Sequence, residues 1–320
     1  MAPAHTEPAA VVRFDALRAA ALDLFDGNVA VSVSVWRGDQ RIAGWASGSR
    51  VDGNPAGTDT TFVLASVSKL ITALTVARLI EAGEVDSTHA VPWDALGIAH
   101  DPGWDGVTVR ELLAHGSGMP VNQKSWLDEP GSCRMPLAAA MAAPPTETRG
   151  TWRYSNGNYC ALGLLVEHLT GIPLDEAART LVLTPAGATG AYLSTEGIRP
   201  TSAPYAKGAR GVERLDRLGG AGTWIASSDD IAAVLGSVTA ADRETLQWPG
   251  VMVDQYGWGH TGSVDGAGAC AWVFDEDSTV LVALVSGPQP ATGGALCDLL
   301  VPALAADLSV WTGDPLRNPL

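Results

Sequence analysis

The stretch TFVLASVSKLITALTVARLIEA, residues 61–82, changes character once, and the change falls on its most reactive side chains. Thr61 to Leu64 is β-branched and apolar, which predicts a short strand. Val67 to Ala82 is strongly apolar at helical spacing, which predicts a helix. Ser66 stands at the junction, and Lys69 lies one turn later on the same face, inside the run Leu70-Ile71-Thr72-Ala73-Leu74. A serine at a helix start has an ordinary use, as a cap for free N–H groups. The lysine is harder to dismiss. The chain holds 17 arginines but only three lysines, Lys69, Lys124 and Lys207. A buried ammonium is costly unless paired. Desolvated lysine, unlike arginine, can lose its proton there and serve as a base.

Outward from this junction, strands lie at both ends of the chain and helices between them. Val29, Val31, Val33 and Val35 alternate with Ala30, Ser32 and Ser34, a period-two strand, and the turn Arg37-Gly38-Asp39 leads to a second strand over Arg41 to Ser47. Ala269 to Phe274 and Thr279 to Val285 form another pair around Asp275-Glu276-Asp277, followed by an apolar helix from Ala291 to Asp307. Phe14, Leu17, Ala21 and Leu24 predict an amphipathic first helix that stops at Gly27. Helices are also expected over Val109–His115, Asn158–Leu169 and Asp229–Leu235, the last behind cap candidates Ser227 and Ser228. The fold class expected is α/β in the α+β sense: an antiparallel sheet built from both termini, flanked by helices, with an inserted all-helical region. The whole chain, 1–320, is expected to form one unit, with the sheet from about 1–65 and 250–320 and the helical region from about 66–249. The longest irregular stretch, Arg199 to Leu218, reads as a loop over a site.

Composition narrows the function. Apolar residues make up 46% and charged ones 17%, as in an ordered globular protein. A net charge of -15 opposes binding to nucleic acid or to an anionic membrane surface. No run of 18 apolar residues predicts a membrane span. Arg13, Asp15, Arg18 and Asp23 interrupt the one candidate leader, so a cytoplasmic location is expected unless a leader has been removed. Cys133, Cys160, Cys270 and Cys297 lack CxxC spacing and read as four separate buried thiols. His5, His89, His100, His115 and His168 lack metal-ligand spacing, so neither metal nor cofactor is expected. Gly266 to Ala271 matches a GxGxxA dinucleotide loop but leads into a strand rather than a helix. No G-x-S-x-G elbow is present.

Two further segments carry chemistry. Tyr154-Ser155-Asn156 precedes a helix, and a phenol and an amide at i, i+2 can point into one cleft; turn chemistry explains the Ser and Asn equally well. His260-Thr261-Gly262 leads into the C-terminal strands, where glycine would let a substrate backbone approach closely and Thr261 supplies a hydroxyl. Trp152, Trp224 and Trp258 flank these segments as cleft-lining candidates, with core packing the alternative for each. In order, SVSK, YSN and HTG resemble the three signatures of the serine β-lactamase and penicillin-binding-protein superfamily, in the branch of class C β-lactamases, D,D-carboxypeptidases and related esterases. The segments VTVRELLAHGSGMP, Gly150 to Gly171 and GGAGTWIASSDDI resemble family segments too, so the likeness covers nearly the whole chain.

The resemblance implies a role for each residue. Ser66 would become acylated, and Lys69 and Tyr154 would handle its proton, with the base left open between them. The N–H groups of Ser66 and Ser263 would form the oxyanion hole. Asn156 would hold the acyl-side amide. His260, Thr261 and Gly262 would meet polar or anionic substrate groups, with Trp258 and Trp224 beside them. There are departures. His260 stands where relatives often carry lysine, and Tyr256-Gly257-Trp258-Gly259 runs straight into it, which predicts a shortened cleft edge. No E-x-x-L-N segment supplies a deacylating glutamate. The expected activity is hydrolysis of a small ester or amide, such as a D-amino-acid peptide, a β-lactam or an ester. The alternative is transfer of the acyl group from a small-molecule donor to an amine or alcohol acceptor. A third reading is a sensor that keeps the fold without turnover.

Overall fold

A computed structural model of the chain describes residues 14–121, 131–205, 211–239, 242–243, 251–290 and 292–312. Its strands are β1 (Ala30–Arg37), β2 (Gln40–Gly48), β3 (Thr61–Val63), β4 (Tyr192–Leu193), β5 (Trp224–Ser227), β6 (Met252–Val253), β7 (Gly257–Val264), β8 (Ala267–Phe274) and β9 (Thr279–Ser286). Its helices are α1 (Asp15–Asp23), α2 (Ser68–Glu81), α3 (Val109–Leu113), α4 (Arg134–Met141), α5 (Asn156–Thr170), α6 (Leu174–Ala178), α7 (Ser228–Gly236) and α8 (Gly293–Thr312). Lys124, Lys207 and His5 lie outside the described residues.

The alternation of β1 has both faces buried. Val31, Val33 and Val35 pack with Leu17 of α1 and Leu300 and Leu304 of α8. The polar face is satisfied by α7: Ser32 and Ser34 Oγ lie 2.7 and 3.0 Å from Ser228 Oγ, and Ser34 donates to Asp229 Oδ1 at 2.6 Å. The main sheet has the order β2-β1-β9-β8-β7-β6, antiparallel throughout, so strands from both ends of the chain meet at the β1–β9 pair. Every residue of β8 and β9 is buried, because α1 and α8 cover one face of the sheet and the inserted helices the other. That explains why these strands read as continuous apolar runs.

The inserted region, expected to be all-helical, also contains β4 and β5, which pair with β3 as a small second sheet. Its strand β5 lies inside the GGAGTWIASS segment, too short for periodicity to reveal. The helix expected over Val109–His115 stops at Leu113, since His115 has a left-handed φ of 50° that no helix continues. Of the stretch expected as a loop, residues 206–210 lie outside the described residues, and the end is a 3₁₀ segment, Val212–Ala221.

The cysteines correct the sequence reading. They are two disulfides, Cys133–Cys160 and Cys270–Cys297, with Cα atoms 6.0 and 5.3 Å apart. The first ties the start of α4 to α5; the second ties β8 to α8. Each pair is 27 residues apart and meets only through tertiary packing, which spacing along the chain cannot show.

Candidate active site

The strand-to-helix junction of the first motif is a 3₁₀ turn, Ala65–Val67, feeding directly into α2. Ala65 takes a left-handed φ of 47°, a conformation that costs a non-glycine residue energy. Gly262 makes room for this turn. A Cβ on Gly262 would lie 2.2 Å from the Leu64 carbonyl oxygen and 3.2 Å from the Ser66 nitrogen. The lack of a side chain at Gly262 thus permits the close approach of β7 to the chain's own Ser66 segment.

Lys69 is 1% exposed, and burial holds its amine well below the usual lysine range. Its Nζ sits 2.7 Å from Asn156 Oδ1, 2.9 Å from the Ala221 carbonyl and 3.1 Å from Ser66 Oγ. The two carbonyl oxygens can only accept, so they fix two N–H groups of the lysine. In the neutral amine, the remaining lone pair then points at Ser66 Oγ. The Ala221 carbonyl owes its place to α2: Thr72 Oγ1 donates to the Gly220 carbonyl at 2.7 Å, and Trp224 N donates to Ser68 Oγ at 3.1 Å. Gly220 admits the approach, since a Cβ there would come 2.7 Å from the Tyr159 carbonyl oxygen and 2.9 Å from Thr72 Oγ1.

Tyr154 reaches the same atom, its O–H donating to Ser66 Oγ at 2.7 Å. Burial pushes the phenol up to about 12, against a smaller downward pull from the bond to Ser66. It is therefore a protonated donor near neutral pH. Ser155 caps α5 by accepting from Gly157 N, which sets Asn156 as the first residue of that helix. The Tyr-x-Asn spacing thus brings the phenol to Ser66 Oγ and the amide oxygen to Lys69 Nζ.

Beneath Tyr154 lies His115, one of the histidines without metal-ligand spacing. Its ring centroid is 4.6 Å from that of Tyr154. Its Nδ1 accepts from Asn158 Nδ2 at 3.0 Å and Ser155 N at 3.4 Å, and its carbonyl accepts from Arg153 N at 2.7 Å. Burial first, then the charges of Lys69 and His260, push its imidazole down to about 2. His115 thus buttresses the Tyr154 turn. The left-handed backbone that aims it carries no signature in a single sequence.

His260 departs from expectation. Its Nδ1 lies 2.5 Å from the Thr261 carbonyl, which can only accept, so that nitrogen bears the proton. The side chain is 4% exposed, and burial, with the Lys69 charge, pushes it down to about 3 despite the carbonyl's upward pull. It is neutral at working pH and is not the cation that would hold an anionic group. Trp224 and Trp258 also fail as cleft residues. They are 0% and 4% exposed and belong to the main core, Trp224 in the small sheet and Trp258 two residues up β7 from His260 on the same face. Trp152, 63% exposed, lines the cleft instead.

Ser66, Trp152, Tyr154, Asn156, Val251, Met252, His260, Thr261 and Ser263 surround a cleft of about 540 Å³. Ser66 and Ser263 thus share one hollow with Tyr154. The edge strand β6 is two residues long and pairs only with Trp258 and Gly259 of β7. No group of acidic, histidine or cysteine side chains among the described residues is placed to hold a metal ion.

A family model described as Beta-lactamase matches residues 21–306, nearly the whole chain. The chain belongs to that family. Among curated relatives, penicillin-binding protein 4 of Amycolatopsis lactamdurans is 32% identical over 184 residues, 55% of this chain and 46% of the relative. The unguisins hydrolase ungD' of Aspergillus campestris is 26% identical over 167 residues, 47% of this chain and 30% of the relative. The matched part spans less than half the length of these curated relatives. Solved structures align over more of the fold. The D-amino acid amidase of Ochrobactrum anthropi SV3 has a TM-score of 0.74 at 21% identity, covering 90% of this chain and 99% of that one. A D-stereospecific amidohydrolase from Streptomyces sp. has a TM-score of 0.70 at 23% identity, covering 86% and 94%. At such identities the likeness is one of fold. No helix among the described residues is long and apolar enough to cross a membrane.

Proposed function

We propose that this member of the beta-lactamase family is a serine amide or ester hydrolase that passes through an acyl-enzyme on Ser66. The observation that carries the reading is the Lys69 amine, buried, held on two carbonyl oxygens and facing Ser66 Oγ at 3.1 Å. Lys69 accepts the Ser66 proton as Oγ attacks the substrate carbonyl, forming the C–O bond. The N–H groups of Ser66 and Ser263 take the developing negative charge. Tyr154 gives its proton to the departing nitrogen or oxygen as the old bond breaks, and the proton that Lys69 took from Ser66 replaces it on the phenol. Water then repeats the attack on the ester to free Ser66.

The substrate class follows from the cleft lining. Among the described residues lining it, none is Arg, Asp or Glu, the one lysine nearby is buried, and His260 is neutral. A carboxylate next to the reacting bond finds no described counter-ion, which favours neutral amides and esters over β-lactams and D,D-peptides. The names of the fold neighbours, an amidase and an amidohydrolase, point the same way. Acyl transfer is the second reading, favoured by the exposed apolar rim of Trp152 and Met252, where an amine or alcohol with an apolar group can rest. Two disulfides suit an oxidising compartment better than the cytoplasm expected from sequence.

Steady-state turnover of a neutral amide, a neutral ester and a penicillin tests the proposal. Neutral substrates should lead in kcat/KM, and added amine should divert product from acid to amide if transfer operates. A penicillin turned over faster than both neutral substrates would refute the substrate class. Absence of any turnover or adduct would favour a non-catalytic sensor.

A further inference from the structure

Ser263 belongs to two hollows. On one side it lines the catalytic cleft, and on the other a second cavity of about 310 Å³ with Asp265, Gly266, Gly287, Pro288 and Pro290. This second cavity lies further along β7, at the turn into β8, on the side away from His260. A carbonyl held between Ser66 and Ser263 has its leaving group toward the proton donor Tyr154. Its acyl chain then runs the other way, toward Val264 and Asp265. Within the main sheet, β6 pairs with Trp258 and Gly259 only, so no described strand covers that edge of β7 beyond them. An extended acyl chain can lie there as an added strand.

Asp265 is the one charged residue among those described as lining the second cavity. It is exposed, and among the described residues no Lys, Arg or His pairs with it. Near it stands Tyr205, whose phenol is pushed up to about 12 by burial and then by the Asp265 charge. Asp265-Gly266 forms the two-residue turn between β7 and β8, where aspartate is a common residue. Gly266, with φ of 80°, occupies the left-handed position, and Asp265 is not left-handed. The turn position leaves the carboxylate exposed at the cavity.

We propose that this cavity is an acyl-side subsite for a cationic group, with Asp265 as its counter-ion. Reach decides which cation. Two residues of extended chain span about 6.5–7 Å, so Asp265 lies about one residue beyond the carbon that adjoins the reacting carbonyl. The free amino terminus of a dipeptidyl group, or the side-chain amine of a basic acyl residue, reaches it better than the α-ammonium of a single amino acid. The substrate class is a peptidyl amide or ester with a cationic acyl end. This inference rests on the acyl-enzyme reading above.

The test compares dipeptide amides whose amino terminus is free or acetylated, on the intact protein and on Asp265→Asn. The free form should lead by about three- to fivefold in kcat/KM, the scale of an exposed ion pair. The lead should fade above about pH 8 as the ammonium loses its proton, and it should shrink with added salt. Asp265→Asn should remove it while leaving the acetylated substrate unchanged, which also shows that the variant folds. Equal rates for the two substrates, or a preference that survives Asp265→Asn, would overturn the subsite alone. If neither substrate is turned over and Ser66 carries no adduct, the hydrolase reading fails and the subsite with it.

Discussion

Two buried neutral histidines should make this protein acid-labile. In an unfolded chain a histidine binds its proton near pH 6.5. In the folded protein His115 and His260 are pushed down to about 2 and about 3, chiefly by burial. Between those values the unfolded chain holds more protons, so stability falls as pH falls below about 6.5. At pH 5.5 each histidine contributes a loss of about 1.4 kcal/mol relative to the plateau above pH 7.5, and the pair about 3 kcal/mol. That is a large share of the ~5–15 kcal/mol typical of a folded domain. His100 works in the opposite direction, raised first by its bond to the Ile98 carbonyl and then by Asp105. Urea unfolding followed by tryptophan fluorescence at pH 7.5, 6.5 and 5.5 measures the net slope. His260→Asn and His115→Asn, compared with the parent, remove the His100 contribution from the comparison. Each should flatten the loss by about 1.4 kcal/mol. Variants whose stability falls as steeply with pH as the parent's would show that these histidines are not held neutral.

Lys69→Arg keeps the positive charge but cannot deprotonate, so it should lower kcat/KM as severely as Lys69→Ala, by about 10²–10⁴-fold; near-native turnover would make the lysine a purely electrostatic element. Tyr154→Phe should lower kcat by about 10²–10⁴-fold with little change in KM, and more for amides than for activated esters, whose leaving groups need no proton. Gly262→Ala places a Cβ against the Leu64 carbonyl and must push β7 away from the Ser66 turn. A displacement near 1 Å at the nucleophile costs about 10²-fold in kcat/KM, and parental kinetics would contradict that packing.

The sheet was legible in the sequence because its strands are long and patterned: Val29 to Val35 by alternation, Ala269 to Phe274 and Thr279 to Val285 by apolar runs around a polar turn. β4 and β5 were not, being two and four residues long. The spacing of Ser66, Lys69, Tyr154 and Asn156 was legible because their chemistry depends on residue type, and the structure brings all four together. What escaped was what depends on environment. His260 is expected from sequence to meet polar or anionic groups, but its burial and its bond to the Thr261 carbonyl depend on packing that the sequence does not display. Trp224 and Trp258 adjoin the motifs in sequence but turn into the core. The Ala221 carbonyl is backbone, and only the glycine-rich stretch Gly219-Gly220-Ala221-Gly222 hinted that chain would pass close to something there.

The central claim is that Ser66 is the atom that becomes acylated. Intact-mass and peptide-mass analysis after exposure to a fluorophosphonate or an activated ester addresses it directly. One adduct is expected, on the peptide carrying Ser66, and Ser66→Ala should show neither adduct nor turnover. Ser68 and Ser117 are the informative alternatives, both buried and hydrogen-bonded to Trp224 N and Asn158 Oδ1 respectively. An adduct on either of them, or turnover that survives Ser66→Ala, would contradict the account.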